Sequence, residues 1–412
     1  MIEHFYSQPK SAQRLRSGPL EPYLDDYARL LTEQGYSRHS GRLKLRLVAD
    51  LSRWLERKQL PVKRLDEQRV GQFLRARCKR VRLQGSDPSS LSRLLRQLRQ
   101  ASVIPTVAPP ALDSPLDRVE QDYARFLLQE RGLVQATLRN YLPVVRRFLV
   151  SRFGGGKLRM DALRSHDVSK FIIHDLAGWI PKQVQLACSA LRSFLGHLYQ
   201  TGQLTTNLAA AVPSVACRPR GALPQFLEPD QVEELLHHCD RGSPAGQRDY
   251  AVLMLLARLG LRAGEVVELS LEDINWEAGE LRIRGKSARI DRLPLPADVG
   301  QALACYLKGG RPRCSSRRVF LRTMAPWQGF SNSATVDGIV DRALSRAYLD
   351  PPHRGAHLLR HSLATRMLAR GTSLTQIGQV LRHQMLQTTE IYAKVDLKAL
   401  RKLAQPWPGG GR

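Results

Sequence analysis

Apolar residues recur at i, i+3, i+4 and i+7 through the first half of the chain: Tyr27, Leu30 and Leu31, then Leu47, Val48, Leu51 and Trp54. That spacing gathers them on one helix face and leaves arginine and lysine on the other, which predicts amphipathic helices around a buried stripe. The pattern occurs twice. Asp26-Tyr-Ala-Arg-Leu-Leu31 is echoed by Asp122-Tyr-Ala-Arg-Phe-Leu127, Val70-Gly-Gln-Phe-Leu74 by Val168-Ser-Lys-Phe-Ile172, and Ser90-Leu-Ser-Arg-Leu-Leu95 by Ala190-Leu-Arg-Ser-Phe-Leu195. The matches run in the same order, so residues 20–105 and 116–212 are expected to be two copies of one all-helical unit. Between them the proline-rich stretch from Ile104 to Pro115 cannot continue a helix and reads as a linker. A second break, Pro213 to Pro224, carries Arg218 and Arg220.

Beyond Pro224 the periodicity changes. Pro229 opens a helix predicted through Cys239, with Val232, Leu235 and Leu236 as its buried stripe. A second apolar helix is expected from about Arg248 to Leu259, stopped by Gly260. Leu281 and Ile283 alternate with arginines, and Leu293 and Leu295 alternate likewise, which predicts two antiparallel strands with Lys286 at or near their turn. From Gly355 onward helices return, over 357–370, over 374–381 and in a short element holding Tyr392. The expected fold class is mainly α with a small antiparallel sheet in the C-terminal part. The expected division is 1–108, 109–216 and 217–412.

Charge narrows the class of partner. Among 412 residues, 64 are Lys or Arg and 37 are Asp or Glu, a net +27 with 42% hydrophobic residues. The excess is spread over all three segments, so the simplest reading is a folded protein acting on a polyanion, where counterion release from phosphates favours contact. Cys78, Cys188, Cys217, Cys239, Cys305 and Cys314 form no close pair, which points away from zinc sites and disulfide frameworks and towards a reducing cytoplasm. His237-His238-Cys239 reads as a helix end, because adjacent helical residues point apart. The N-terminus lacks an apolar signal core and the run from Ala251 to Leu261 is broken by Arg258, so neither secretion nor membrane insertion is expected.

The C-terminal segment also holds Leu259-Gly-Leu-Arg262-Ala-Gly-Glu265-Val-Val-Glu-Leu, Gly285-Lys286, His357-Leu-Leu-Arg360-His, and Leu381-Arg-His383 followed by Ile391-Tyr392. In that order and spacing these motifs resemble the catalytic domain of the tyrosine recombinases, also called the phage integrase family, over residues 221–400. The resemblance implies an enzyme that cuts and rejoins duplex DNA, with Arg262, Lys286, His357, Arg360, His383 and Tyr392 as the catalytic set and Glu265 in support. Each residue type suits that chemistry. A tyrosine, with a pKa of about 10, attacks phosphorus only if its proton leaves as the bond forms and the phosphate charge is neutralised. Tyr392 would be that nucleophile, leaving a 3′-phosphotyrosine and a free 5′-hydroxyl. Guanidinium forks suit the non-bridging oxygens of the phosphorane, a role for Arg262 and Arg360. His383 can donate to the same phosphate, and His357, one turn before Arg360, can assist proton movement. Lys286 fits the general acid for the departing 5′-oxygen, and Glu265 either orients Arg262 or is a surface carboxylate. Residue by residue, plainer readings stay open: Tyr392 as a packed aromatic, His361 rather than His357 facing the site, and Arg262 as a cap.

The family commonly has glycine before the terminal histidine, where this chain has Arg382, so either the backbone there differs or the arginine adds a phosphate contact. No phosphate-binding glycine loop and no carboxylate cluster for Mg²⁺ is found in the sequence, so no cofactor, metal or ATP is expected. By resemblance, the second helical copy looks like the core-binding domain that closes with the catalytic domain as a clamp on double-stranded DNA; the first copy lies outside that two-domain pattern. The leucine-rich tail after Tyr392 would dock on a neighbouring protomer in a homotetramer on paired sites, with other recombinases of the same mobile element as further partners. Integration or transposition is the expected outcome. The alternatives are a catalytically silent architectural DNA-binding protein and a type IB topoisomerase.

Overall fold

Two helical segments of the same plan make up the first half of the chain. They are seen in a computed structural model that describes all residues except 7, 80, 83, 107–113, 155, 216–223, 286–289, 386 and 396–412. In the first segment the main helices are Glu21–Glu33, Arg38–Arg57, Glu67–Cys78 and Asp87–Gln100; in the second they are Pro115–Arg125, Gln135–Phe153, Ser165–Lys170 and Pro181–Gln200. Local signals set their starts: Ser37 accepts from the Ser40 amide, Asp66 from that of Arg69, and Ser114 from that of Asp117. The repeat extends to buried polar chemistry. Tyr27 Oη donates to the Ser90 carbonyl at 3.0 Å, and its counterpart Tyr123 donates to the Ala190 carbonyl at 3.4 Å. Both phenols are fully buried, so each hydroxyl needs that carbonyl, and each bond fastens the first helix of its copy to the last. The copies differ where Pro115–Arg125 and Ser165–Lys170 run on into π-helical turns, Phe126–Glu130 and Phe171–Asp175.

The chain divides into two compact units, one of residues 1–106 with 223–412 and the other of residues 107–222. Within the first unit the segment 1–106 keeps its own core, centred on Leu24, Tyr27, Leu45, Leu51 and Leu94. The core of the rest of that unit runs from Leu227 to Leu359. Residues 107–222 form a third core around Tyr123, Phe148, Phe171 and Phe194. The linker residues 107–113 and the stretch 216–223, with Cys217, Arg218 and Arg220, lie outside the described residues.

The C-terminal segment is helical around one small sheet, as its periodicity predicts. Pro229–His237 ends two residues before the expected limit, with His238 at its C-cap. The central helix is Pro244–Leu259, starting before Arg248 because Ser243 caps it by accepting from the Gly246 amide and Pro244 suits the first turn. Every residue from Ala251 to Leu256 is buried, so this helix is the axis of the core. The sheet has three strands rather than two. A two-residue β1 (Ile274–Asn275) pairs antiparallel with β2 (Glu280–Arg284), which pairs antiparallel with β3 (Ile290–Pro294). Leu281 and Ile283 face the core while Arg282 and Arg284 face outward, the alternation a one-sided sheet requires. Helices Ala297–Cys305, Ala334–Arg346, Ala356–Ala369 and Leu374–Val380 follow, then Gln387–Glu390 and a 3₁₀ turn, Ile391–Val395. The five described cysteines are free thiols, and no helix among the described residues is long and apolar enough to cross a membrane.

Candidate active site

Gly260 sets the first piece. It ends the central helix at φ 59°, a left-handed conformation that costs glycine little, and a Cβ there would meet Leu381 Cδ2 at 2.8 Å and Leu363 Cδ2 at 3.0 Å. The chain can therefore turn beneath two later elements and present Arg262, the N-cap residue of helix Ala263–Glu268. Glu265 closes that cap. Its carboxylate accepts from the Arg262 amide at 2.8 Å and from Arg262 Nη1 at 2.7 Å.

Arg360 comes from helix Ala356–Ala369 and is 3% exposed. Its guanidinium donates to the carbonyls of Gly260 and Leu381, tying the arginine turn to the end of helix Leu374–Val380. Burial, with Arg262 and Arg382 nearby, pulls its pKa down to about 10, which leaves it charged at neutral pH.

Arg382 occupies the left-handed region at φ 55°. The backbone thus adopts the turn a glycine would make, and the arginine is held there by its contacts. Arg382 Nη2 donates to Glu265 Oε2 at 2.8 Å with both side chains 6% exposed, and the Arg382 carbonyl accepts from Arg262 Nη2 at 3.3 Å. Burial alone would raise the Glu265 carboxyl, but the Arg382 charge and the hydrogen bonds from Arg262 outweigh it and hold it below the usual range. Two guanidiniums, Arg262 and Arg382, therefore share one carboxylate.

His383 follows. Its Nδ1 lies 2.8 Å from Oγ1 of the fully buried Thr389, and its amide donates to the Gly378 carbonyl at 2.9 Å. Burial, then the charges of Arg360, Arg262 and Arg382, push its pKa down to about 4, so the ring is neutral at pH 7. A cleft of about 620 Å³ opens beside these groups, lined among others by Arg262, Gly285, Asp291, Arg382, His383 and Thr389.

Tyr392 is not on the cleft wall. It is 1% exposed, packed with Ala364, Ile377 and Leu381, and its hydroxyl lies 2.9 Å from His361 Nδ1. Burial drives the phenol up to about 12 against the opposing Arg360 charge. His361, not His357, is therefore the histidine in contact with the tyrosine. His357 lies one turn earlier on the same helix face, exposed, with its ring centroid 6.2 Å from that of His361. Periodicity alone could not separate the two, because residues four apart share a face. Thr389 was missed, and its only signal was its place in Gln387-Thr-Thr-Glu390. Lys286 lies outside the described residues, as does the tail from residue 396 onward; the described Gly285 before Lys286 lines the cleft. Among the described residues, no group of three or more His, Cys, Asp or Glu side chains could hold a metal ion.

Comparison with known proteins gives a consistent picture. The sequence model of the phage integrase family matches residues 225–398. A putative integrase/recombinase, y4rA of Sinorhizobium fredii, is 42% identical over 409 residues, covering 99% of this chain and 99% of that protein. Tyrosine recombinase XerD of Xanthomonas axonopodis pv. citri is 31% identical over 287 residues, covering 66% of this chain and 92% of its own length. Among solved structures, the XerH site-specific recombinase bound to palindromic difH substrate, a post-cleavage complex, matches with a TM-score of 0.54 at 19% identity, covering 84% of this chain and 99% of that one. That last likeness concerns the fold.

Proposed function

This chain belongs to the phage integrase family, and from that premise we propose that it is a site-specific DNA recombinase that cuts and rejoins duplex DNA through a 3′-phosphotyrosine at Tyr392. In this reading the Tyr392 oxygen bonds to phosphorus, the bond from phosphorus to the 5′-oxygen breaks, and Lys286 protonates the departing oxygen. Arg262 and Arg360 neutralise the non-bridging oxygens of the phosphorane, His383 donates to the same phosphate, and His357 assists the tyrosine proton. Glu265 orients Arg262. Because the phosphotyrosine keeps the energy of the broken bond, attack by a 5′-hydroxyl reverses the step without ATP or metal.

The observation that supports this most is the convergence of four separate stretches, 260–265, 360–361, 382–383 and 389–392, into one network of guanidiniums, histidines and a phenol beside a cleft. Such a concentration of positive charge in a desolvated wall suits a phosphodiester. The reading requires Tyr392 to leave its contact with His361, a shift borne by the short helix Gln387–Glu390 and the turn Ile391–Val395. The proposed division is an additional helical lobe (1–108), a core-binding lobe (109–216) and the catalytic domain (217–412), acting as a homotetramer on paired DNA sites, in the cytoplasm, in the integration or transposition of a mobile element. The separate hydrophobic cores spanning 2–104, 123–212 and 227–359 support that division.

The test is a nicked duplex that traps the covalent intermediate. Wild-type protein should form a protease-sensitive adduct in the presence of EDTA, and Tyr392→Phe should bind the duplex equally and form none. An adduct persisting in Tyr392→Phe moves the nucleophile elsewhere, and an adduct lost in EDTA reinstates a metal mechanism.

A further inference from the structure

We propose that Arg382 is a positioning residue for DNA cleavage, acting on Arg262 through the shared Glu265 carboxylate and through its own carbonyl. The inference rests on the phosphotyrosine reading and concerns a side chain that departs from the family's glycine.

Three observations carry it. The first is conformational: a turn at φ 55° is most cheaply made by glycine, and an arginine there carries backbone strain. The second is that the side chain turns inward. It is 6% exposed, bonded to Glu265 and to the Val380 carbonyl, with Nε buried and unpartnered. Solvation alone would favour the opposite arrangement. The third is charge. Glu265 alone would neutralise Arg262, because the two are paired at 2.7 Å, and the pair would then attract a phosphate weakly. With Arg382 on the other carboxylate oxygen the trio carries a net positive charge. Arg262 is then fixed from two sides, by Glu265 at Nη1 and by the Arg382 carbonyl at Nη2. It keeps its orientation beside the cleft and its attraction for an anion.

The experiment uses the full-length protein and measures single-turnover adduct formation at saturating protein, duplex affinity and thermal melting. Arg382→Gly keeps the carbonyl and suits the turn, so it should melt at or near the wild-type temperature and bind duplex within about threefold. Its adduct formation should slow about 10- to 100-fold, less than the roughly 100- to 1000-fold cost of losing a preorganised donor outright, because Arg262 itself remains. A methylphosphonate at the scissile position has no anionic oxygen to neutralise, so the deficit should shrink several-fold there, and Arg382→Lys should recover part of the rate. In the Glu265→Gln background, where no carboxylate remains to offset Arg262, Arg382→Gly should cost markedly less than in the wild type. A wild-type cleavage rate for Arg382→Gly overturns the proposal, as does an equal deficit on both substrates accompanied by a fall in melting temperature. If Arg382→Gly does not fold, Arg382→Gln decides: a rate loss with unchanged melting that shrinks on the methylphosphonate supports the role, and an unchanged rate overturns it. A wild-type protein that forms no adduct overturns the phosphotyrosine reading itself and this inference with it.

Discussion

The hydroxyl of Tyr392 lies 2.9 Å from Nδ1 of His361, with the two rings edge to face at 5.6 Å between centroids. Burial, with His357 and Arg360 nearby, pulls the His361 imidazole down to about 4, so it is neutral at pH 7. In the tautomer protonated on Nε2, Nδ1 accepts the phenol proton. The contact holds the resting tyrosine away from the cleft, so His361→Phe should form the adduct at or above the wild-type rate with duplex affinity retained. A loss of about 100-fold in single-turnover cleavage, the scale of a lost proton acceptor, would instead give the tyrosine proton to His361 rather than His357.

The same two neutral histidines give the protein a dependence on pH. His361 and His383 both sit at about 4 in the folded chain, against about 6.5 for a free imidazole. Above about pH 6.5 neither state binds these protons and the stability is complete. As pH falls towards 4 the unfolded chain takes up protons that the folded one rejects, so stability is lost across that window, by roughly 1–3 kcal/mol for each histidine. Melting followed from pH 7.5 to 4.5 should show that decline, and His383→Gln should flatten it. A bound phosphate would favour the charged rings, so duplex binding near pH 5.5 should take up protons, measurable as a buffer-dependent heat; a buffer-independent heat would contradict this account.

Much of the fold was legible because its cause is periodic. Leu281 and Ile283 alternate on a one-sided sheet, and the repeated Tyr27 and Tyr123 make the same buried bond to equivalent helices. The two-residue β1 was not legible, since so short a strand has no period to read. The π-helical turns at Phe126–Glu130 and Phe171–Asp175 left no signal in the apolar pattern either. In the site, Arg262, Arg360, His383 and Tyr392 stood in recognisable motifs. The choice between His357 and His361 depended on tertiary packing, and the conformation of Arg382 depended on Glu265, which lies 117 residues away. Long-range electrostatics of that kind overrides local glycine chemistry and cannot be read from spacing.

Lys286 is assigned by motif alone, and its role has a chemical test. Lys286→Ala should slow cleavage of an ordinary duplex by about 100-fold or more, the range for a lost general acid. A 5′-bridging phosphorothiolate has a leaving group that needs no proton and should restore the rate. Failure of that rescue would give the acid to another residue, and Asp291, which also lines the cleft, would be the next to test.

The first helical segment makes a close approach to the C-terminal segment. The Trp327 amide donates to the Gln34 carbonyl at 3.0 Å, and a Cβ on Gly35, which has φ 77°, would lie 2.1 Å from Trp327 Cε2. No side chain fits there, so Gly35→Ala must displace the indole and accept a strained backbone, a loss of about 1–3 kcal/mol. The segment carries the basic run Arg75-Ala-Arg77-Cys-Lys79-Arg80-Val-Arg82, of which Arg77 is paired with Asp50. If it grips duplex flanking the core site, its position relative to the site depends on that approach. Gly35→Ala should then form the Tyr392 adduct on a short core duplex at the wild-type rate, while its footprint on a longer duplex loses the flank. Protein beginning at Ser114 should show the same shortened footprint and a shallower dependence of affinity on salt, having given up phosphate contacts. An unchanged footprint and slope in both would mean that residues 1–106 contact protein rather than DNA.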